Sequence, residues 1–544
     1  MSALPSLIAE TKLDEKAVTG AYHLEPSSYP SFFKKCVQAI QSPGKQHNIC
    51  SSAPTQQVFE DEKFLRSSSS LEGLSAEYKV KYGTNGAIVE YENIRDYIDQ
   101  KRPNLTGRIF DKITSLAGTS FVFILTLIIL IIWAIVGGIY HGPDNWQIVM
   151  QDGGSIQCYI SDTLLMRQQQ NQHSQLTTMI AQLRSRLRTI RRLIGPILQG
   201  KTVASAPIKD QDLRDDVGDA RKLPTENWFD LVCNYVSLII GSVYFFLIFW
   251  IGIFIWIGFG KKLNWSDEWQ LYINTATAVE LTFTSVFLQN VRHRHMKYIS
   301  RCVSSIFHID AALEEALRRQ SGDRQTNPVI EIEAEKVSHG SRIIDYYADL
   351  VGSGVGAMIS ATVFIVWLAI GNVMHWNSNW WLIIGTYTGL IGFLDGFVLR
   401  NVYFRENNHV KIHLQTLIDE ECSLFQSLDL PLPHDSEITL NKSFAYKLSS
   451  FIGHICSQAY SVFVAVIIIV CLVVAAGALK FNETAQLFCN TPTMIIEGAL
   501  LIVLIEAHNF TNMKNRIKFR QIHLRHLALM QVMVGDGYST SESV

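Results

Sequence analysis

Four stretches of this chain are apolar over enough residues to cross a bilayer: Thr119–Tyr140, Tyr235–Gly258, Ala357–Gly371 (extending back through Leu350) and Val462–Leu479. At a helical rise of about 1.5 Å per residue, such runs traverse a hydrocarbon core about 30 Å thick. Hydrocarbon offers backbone groups no partner, so spanning segments of this length fold as helices. The expected fold class is therefore an all-α polytopic membrane protein. The net charge of −2 carries no information about partners, because the membrane segments dilute it.

Each apolar run is followed, across a short polar gap, by a second and only moderately apolar run. The gaps read HGPDNW, KKLNWSDEW, NVMHWNSNW and KFNETA. Setting Trp146, Trp269 and Trp380 in register, with Ala485 in the fourth place, aligns the second runs without gaps. Gln151, Asn274, Gly385 and Asn490 then share one position, and Gly154, Thr277, Thr388 and Thr493 share another three residues on. A polar, helix-prone stretch follows each second run, as in Arg184–Arg192 and Lys514–Met530. The pattern predicts about eight transmembrane helices in four two-helix repeats, each ending in an amphipathic helical extension. The repeats are expected over residues 116–230, 231–345, 346–445 and 446–544. Residues 1–115 read as a weakly ordered region for regulation or trafficking, with a helix pair over Tyr91–Ser115 broken at Pro103.

The tryptophan-side loops carry few basic residues, whereas the long segments opposite them carry clusters such as Arg184, Arg186, Arg188, Arg191 and Arg192. The positive-inside rule then places both termini and the long segments in the cytoplasm, and the tryptophans at the outer interface. Residues 1–40 lack the apolar core of a cleavable signal, so the first spanning helix is expected to direct insertion.

On a helical wheel with Asn274 and its equivalents at zero, the polar residues of the second runs fall on one face. That face holds Asn274, Thr277, Glu280, Thr284 and Ser285; Gly385, Thr388, Gly392, Asp395 and Gly396; Asn490, Thr493 and Glu497; and Gln151, Gly154, Gln157, Cys158, Ser161 and Asp162. Asp152 and Thr275 fall on the opposite faces. If the four helices surround an axis, Glu280 and Glu497 form an upper carboxylate layer and Asp395 and Asp162 a lower one, about 6 Å away. Asn274, Gln151 and Asn490 mark the outer mouth. Oxygen-rich donors with little imidazole or thiolate suit loosely held Fe2+, Mn2+, Mg2+ or Zn2+. The candidate metal ligands are Glu280, Asp395, Glu497, Asp162, Asn274, Thr277, Thr284, Gln157 and Asn490. The competing reading has the same acids protonated and hydrogen-bonded, since no Lys or Arg shares their arcs.

Other features have plainer readings. Gly385, Gly389, Gly392 and Gly396 are spaced for close helix approach. His409 and His413, four apart, could hold a metal near its exit, but histidines on a helix extension are commonly solvated. Arg292, Arg294 and Lys297 read as a membrane-surface anchor. Nine cysteines without a CxxC pair imply neither disulfides nor a thiolate site, and Cys158, Cys471 and Cys489 read as small hydrophobes.

The stretch WQLYINTATAVELTFTSVFLQNVRHR, from Trp269 to Arg294, resembles the signature of the low-affinity iron permease family: Trp-Gln-Leu, then Asn-Thr-x-Thr, then Gln-Asn before basic residues. LAGTSFVFILTLIILIIWAIVGG and the loop from Gly258 to Trp269 resemble that family's first helix and loop. The likeness covers roughly Ile109 to Met530 in four copies. It is strongest at Trp269, Gln270, Asn274, Thr275, Thr277, Gln289 and Asn290, and weakest in the first repeat, where MQDGG replaces Asn-Thr-x-Thr. The resemblance implies low-affinity uptake of ferrous iron across the plasma membrane, with zinc, copper and manganese as further substrates. The expected partners are these ions and the lipid bilayer, with no resident cofactor, no nucleic acid and no enzymatic activity; a homo-oligomer is left open. The alternative is a non-transporting membrane scaffold or sensor acting through its cytoplasmic helices. A di-metal oxidase would need several histidine boxes, and only His409/His413 has the spacing.

Overall fold

A computed structural model describes residues 48–56, 79–83, 86–90, 105–197, 223, 225, 228–432, 447, 451–455 and 458–534. Three times the chain runs through a short amphipathic helix, an outer helix and a long inner helix. These are α1 (Leu105–Ala117), α2 (Ser120–Tyr140) and α3 (Asp144–Ile197); α4 (Trp228–Ile240), α5 (Val243–Gly260) and α6 (Asp267–Ser321); and α7 (His339–Val351), α8 (Gly354–Gly371) and α9 (Ser378–Ser427). The fourth copy supplies α10 (Ala459–Ala478) and α11 (Glu483–Val534). Two small antiparallel pairs complete the described elements: β1 (Ile49–Ser51) with β4 (Ile330–Ile332), and β2 (Lys79–Gly83) with β3 (Gly86–Glu90). The predicted helix before Pro103 lies outside the described residues.

Two of the apolar runs are broken where serine caps a new helix. Ser242 Oγ accepts from Phe245 N, and its hydroxyl donates to Ile239 O; Ser353 does the same with Gly356 N and Leu350 O. An N-cap serine satisfies a backbone donor that the first turn leaves free. The chain can therefore turn from a surface-lying helix into a spanning one without stranding polar groups.

The four loops share one conformation. His141–Gly142, Asn264–Trp265, His375–Trp376 and Lys480–Phe481 are each a pair of left-handed residues. The second residue of each pair donates to a carbonyl five residues back, as Trp265 does to Gly260 and Phe481 to Ala476, each at 2.9 Å. The tryptophans then lock the hairpins. Trp256 and Trp269 stack at 3.9 Å, and each indole N–H donates to the other's backbone carbonyl, at 2.8 and 2.9 Å. Trp133–Trp146 and Trp367–Trp380 repeat this clasp. In the fourth copy Cys489 Sγ instead donates to Leu472 O. The register tryptophans are thus clasps between helices, with Trp269 and Trp380 buried against their hairpin partners.

The long helices pack in the cyclic order α3–α6–α11–α9. The apolar outer helices lie outside this ring and expose Ile128, Ile132, Phe254, Ile365 and Ile467, the surface a bilayer would cover. Seven described helices are long and apolar enough to cross a membrane. Helix α3 is not among them. It takes its place in the ring because α6 and α9 cover its polar side.

Each long helix greatly outreaches the bilayer: the 55 residues of α6 span roughly 82 Å. Beyond the membrane half, the four continue as a bundle with its own core, including Ile180, Val303, Leu414 and Phe519. There a fully buried Arg186 donates to Glu314 at 3.0 Å, to Phe307 O at 3.1 Å and to Pro54 O at 2.8 Å. Residues 48–56 are thereby strapped to the bundle, with Ala53 N donating to Ser185 Oγ.

Candidate metal pathway

Because the ring closes, the four polar faces turn toward a shared axis. Nearest the loops, Gln151, Asn274 and Asn490 are fully buried at one level. Helix α9 has Gly385 there, and the space is taken by Asp152, which the wheel had put on the opposite face. A Cβ on Gly385 would overlap Asp152 Oδ1. Asp152 is fully buried and completes the ring. None of the eight side-chain N and O atoms of these four residues has a hydrogen-bond partner within the protein. Each such group costs about 1–3 kcal/mol when nothing polar meets it, so this layer is built for water or an ion.

One turn further in, Thr277, Thr388 and Thr493 each donate to carbonyls of their own helix, as Thr277 does to Ile273 O at 2.8 Å. The hydroxyl proton is thus spent on the backbone, and the oxygen's lone pairs stay available.

Near mid-depth, Cys158, Asp162 and Glu497 come together. One ligand atom from each lies within 4.8 Å of the other two, and all three side chains are buried. Cys158 Sγ donates to Glu497 Oε1 at 3.0 Å. Gly392 on α9 leaves the room that the Glu497 carboxylate fills, and at Gly396 a Cβ would meet the Arg400 guanidinium, so these glycines admit polar side chains and not a helix backbone. Two carboxylates this close repel strongly where water is scarce, and a divalent cation relieves that repulsion. One thiolate and two carboxylates form a borderline donor set suited to Fe2+ or Zn2+.

The other candidate residues sit in the seams between helices. Glu280 accepts from Thr284 Oγ1 at 2.9 Å and faces Gly498 on α11 and Phe249 on α5, with its Oε2 unpartnered. Asp395 lies toward α3 and α7, where Tyr347 donates to its Oδ1 at 2.6 Å; Oδ2 is unpartnered. Gln157 spans the α3–α6 seam, donating to Ser161 and to Ser285 Oγ at 3.1 Å. The structure thus brings Asp162 and Glu497 together and holds Glu280 and Asp395 on the flanks.

Three features had weak sequence signals. Cys158 shares depth and wheel angle with Glu497, yet a thiol among apolar residues reads as packing. Arg400 donates to Gly396 O at 2.5 Å and Leu500 O at 3.0 Å, and its charge acts on Asp162 and Glu497. A basic neighbour is therefore present, brought in from α9, where each arc read alone has none. Arg292 is no surface anchor: it is buried and donates to Gln169 at 2.7 Å and Gln172 at 3.0 Å.

Below Arg400 and Arg292, toward the bundle, lies a polar vestibule. Gln172, His173, His295, Glu406, His508 and Asn512 line it. Gln172 Nε2, His508 Nε2 and Asn512 Nδ2 have no protein partner, and the space between these side chains has room for about one water. Burial, with help from His409, holds the His173 imidazole down at about 4, so it is neutral at physiological pH.

The description "Low affinity iron permease" matches residues 106–201, 229–318, 341–440 and 445–535. The low-affinity iron/zinc ion transport protein fet4 of Schizosaccharomyces pombe is 62% identical over 514 residues, covering 94% of this chain and 88% of that protein. The low-affinity Fe(2+) transport protein of Saccharomyces cerevisiae is 40% identical over 455 residues, covering 78% of this chain and 82% of that one. No solved structure matches the chain. With four family matches along a ring of paired helices, this chain belongs to the low affinity iron permease family, a family of transporters and not of enzymes.

Proposed function

We propose that the protein carries ferrous iron, and with it zinc, across the plasma membrane at low affinity through the axis of the four long helices. The observation that carries this reading is the buried Cys158–Asp162–Glu497 cluster, reached from the loop end through the ring of Asp152, Gln151, Asn274 and Asn490. Its location on the axis is consistent with the iron/zinc transport named for one relative and the Fe(2+) transport named for the other. In this reading the loops face outward, the bundle and both termini are cytoplasmic, Thr277 lines the path below the amide ring, and Glu280, Asp395, Thr284 and Gln157 tune or hydrate it from the seams. Binding releases protons from whichever ligands hold them, so uptake is linked to pH even without obligatory proton coupling. Copper and manganese are secondary substrates that the same oxygen and sulfur donors can accept.

The decisive experiment is uptake of radiolabelled Fe2+ and Zn2+ into vesicles reconstituted with the full chain, with pH gradient and potential varied separately. Transport into vesicles bearing the wild type, and its loss in Glu497→Gln, is the expected result. A scaffold or sensor would leave vesicles impermeable to both ions, and that outcome sinks the proposal.

A further inference from the structure

The route down the axis ends at the vestibule. Beyond it the bundle axis is filled by large buried side chains, first Leu176, Ile299 and Val410, then Ile180, Val303 and Leu414. A divalent cation entering such layers would shed its hydration and find no ligand in return. An ion that reaches the vestibule therefore has to leave sideways.

One seam offers a way. His173 on α3 lines the vestibule, and its Nε2 lies 3.2 Å from Nδ1 of His409 on α9. Nε2 of His409 lies 3.2 Å from Nε2 of His413, one turn further along α9. Glu406, buried in the vestibule wall, has its carboxylate 3.8 Å from His173 Nδ1. His409 and His413 are half-buried, and His409 Nε2 lies 3.0 Å from the carbonyl of Glu333 at the exposed edge. The line thus runs from a buried carboxylate, through three imidazoles, to the surface of the bundle. The other vestibule histidines, His295 and His508, are buried and feel the charge of Arg292, which disfavours a second cation there. Beside the line, Arg405 is held by Asp345 and Glu335, and Arg184 by Glu420.

We infer that divalent cations leave through the α3–α9 seam, passing from Glu406 and His173 to His409 and His413. Spaced imidazoles suit this task because each binds a borderline cation such as Fe2+ or Zn2+ through one neutral nitrogen, tightly enough to accept it and loosely enough to release it. The inference rests on the transport reading above, so its test includes a measurement without transport.

In reconstituted vesicles, His173→Ala with His413→Ala is expected to lower the maximal rate of Zn2+ uptake at least tenfold. The half-saturating Zn2+ concentration should stay within twofold, because loading at Glu497 is untouched. Cysteine at the same two positions, kept reduced, should restore most of the rate, since a thiolate replaces the lost ligand but not the shape of an imidazole. His523→Ala, a buried histidine paired with Ser305 elsewhere in the bundle, should leave the rate within twofold. An unchanged maximal rate in the double alanine variant overturns the portal, as does a loss that cysteine fails to restore. Calorimetric Zn2+ titration of the purified chain should show one more equivalent bound by the wild type than by the double alanine variant. If the wild type moved no Zn2+ yet bound that extra equivalent, the transport reading would fail while the histidine site stood; without the extra equivalent the site fails as well.

Discussion

The same four helices treat polar side chains in opposite ways at their two ends. In the membrane half, Asp152, Gln151, Asn274 and Asn490 are buried with every side-chain N and O atom unpartnered. In the bundle half, Arg186, equally buried, reaches a carboxylate and two carbonyls, while Glu314 also accepts from Arg318 at 2.9 Å. A polar group whose partners are all protein is part of the scaffold. One whose side-chain atoms all lack protein partners is costly unless water or an ion meets it. The contrast separates residues kept for passage from residues kept for structure, and it can be tested from both sides.

The largest effect should follow from the axial cluster. Glu497→Gln combined with Asp162→Asn is expected to cut saturating Fe2+ uptake by about a hundredfold or more, the loss of two ligands from one site. Thermal stability should change little, because the amides keep the side-chain shapes while the repulsion between the acids and their attraction to Arg400 are lost together. A large fall in melting temperature would assign these acids to structure instead. The opposite signature is expected from the bundle: Arg186→Leu leaves Glu314 without that partner and should cost about 3–5 kcal/mol, read as a lower unfolding midpoint in detergent.

Next in size is the outer ring. Gly385→Ala would drive a methyl group into Asp152, and Asp152→Asn would remove the ring's charge. Each is expected to reduce uptake about tenfold at low ion concentration and much less at saturation, the pattern of weakened capture. Equal loss at all concentrations would move Asp152 from capture to the rate-limiting step.

In the bundle, His526 lies between Asp310 and Glu421. Burial opposes its charge, but the two carboxylates prevail and raise it from 6.5 to about 10. A raised folded value means the stabilisation is complete below about pH 6.5 and is lost as pH rises through about 10. The stability gap between wild type and His526→Gln should therefore narrow from pH 7 to pH 10; a constant gap contradicts a charged imidazole. The smallest effect belongs to the hairpin clasp. Trp380→Phe keeps the stack but loses one indole hydrogen bond, for about 1 kcal/mol.

How far the site was legible depends on which residues carry it. The shared level of the amide ring follows from the tryptophan register, because a straight helix turns residue spacing into height. The same register sets Asp162 about 6 Å below Glu497, whereas the structure brings their ligand atoms within 4.8 Å. Glu280 reads as their equal on the wheel, yet it points into the seam with α11, since a shift of one residue rotates a side chain by about 100°. Asp152 looks misplaced on its own helix and makes sense only beside Gly385. Cys158, Arg400 and His173 are silent for the same reason: each gains its role from a side chain on another helix.

The sequence by itself determined the all-α membrane class, the fourfold repeat, the polar inner helices and the family resemblance, because hydropathy and helical period are local properties of the chain. Only the tertiary structure decided the cyclic order of the helices, the convergence of Cys158 with Asp162 and Glu497, the diversion of Glu280 and Asp395 to the seams, and the histidine line across α3 and α9. Those features depend on which helix packs against which. That is settled by fits between repeats, such as Gly385 against Asp152 and Gly392 against Glu497, which no single repeat contains.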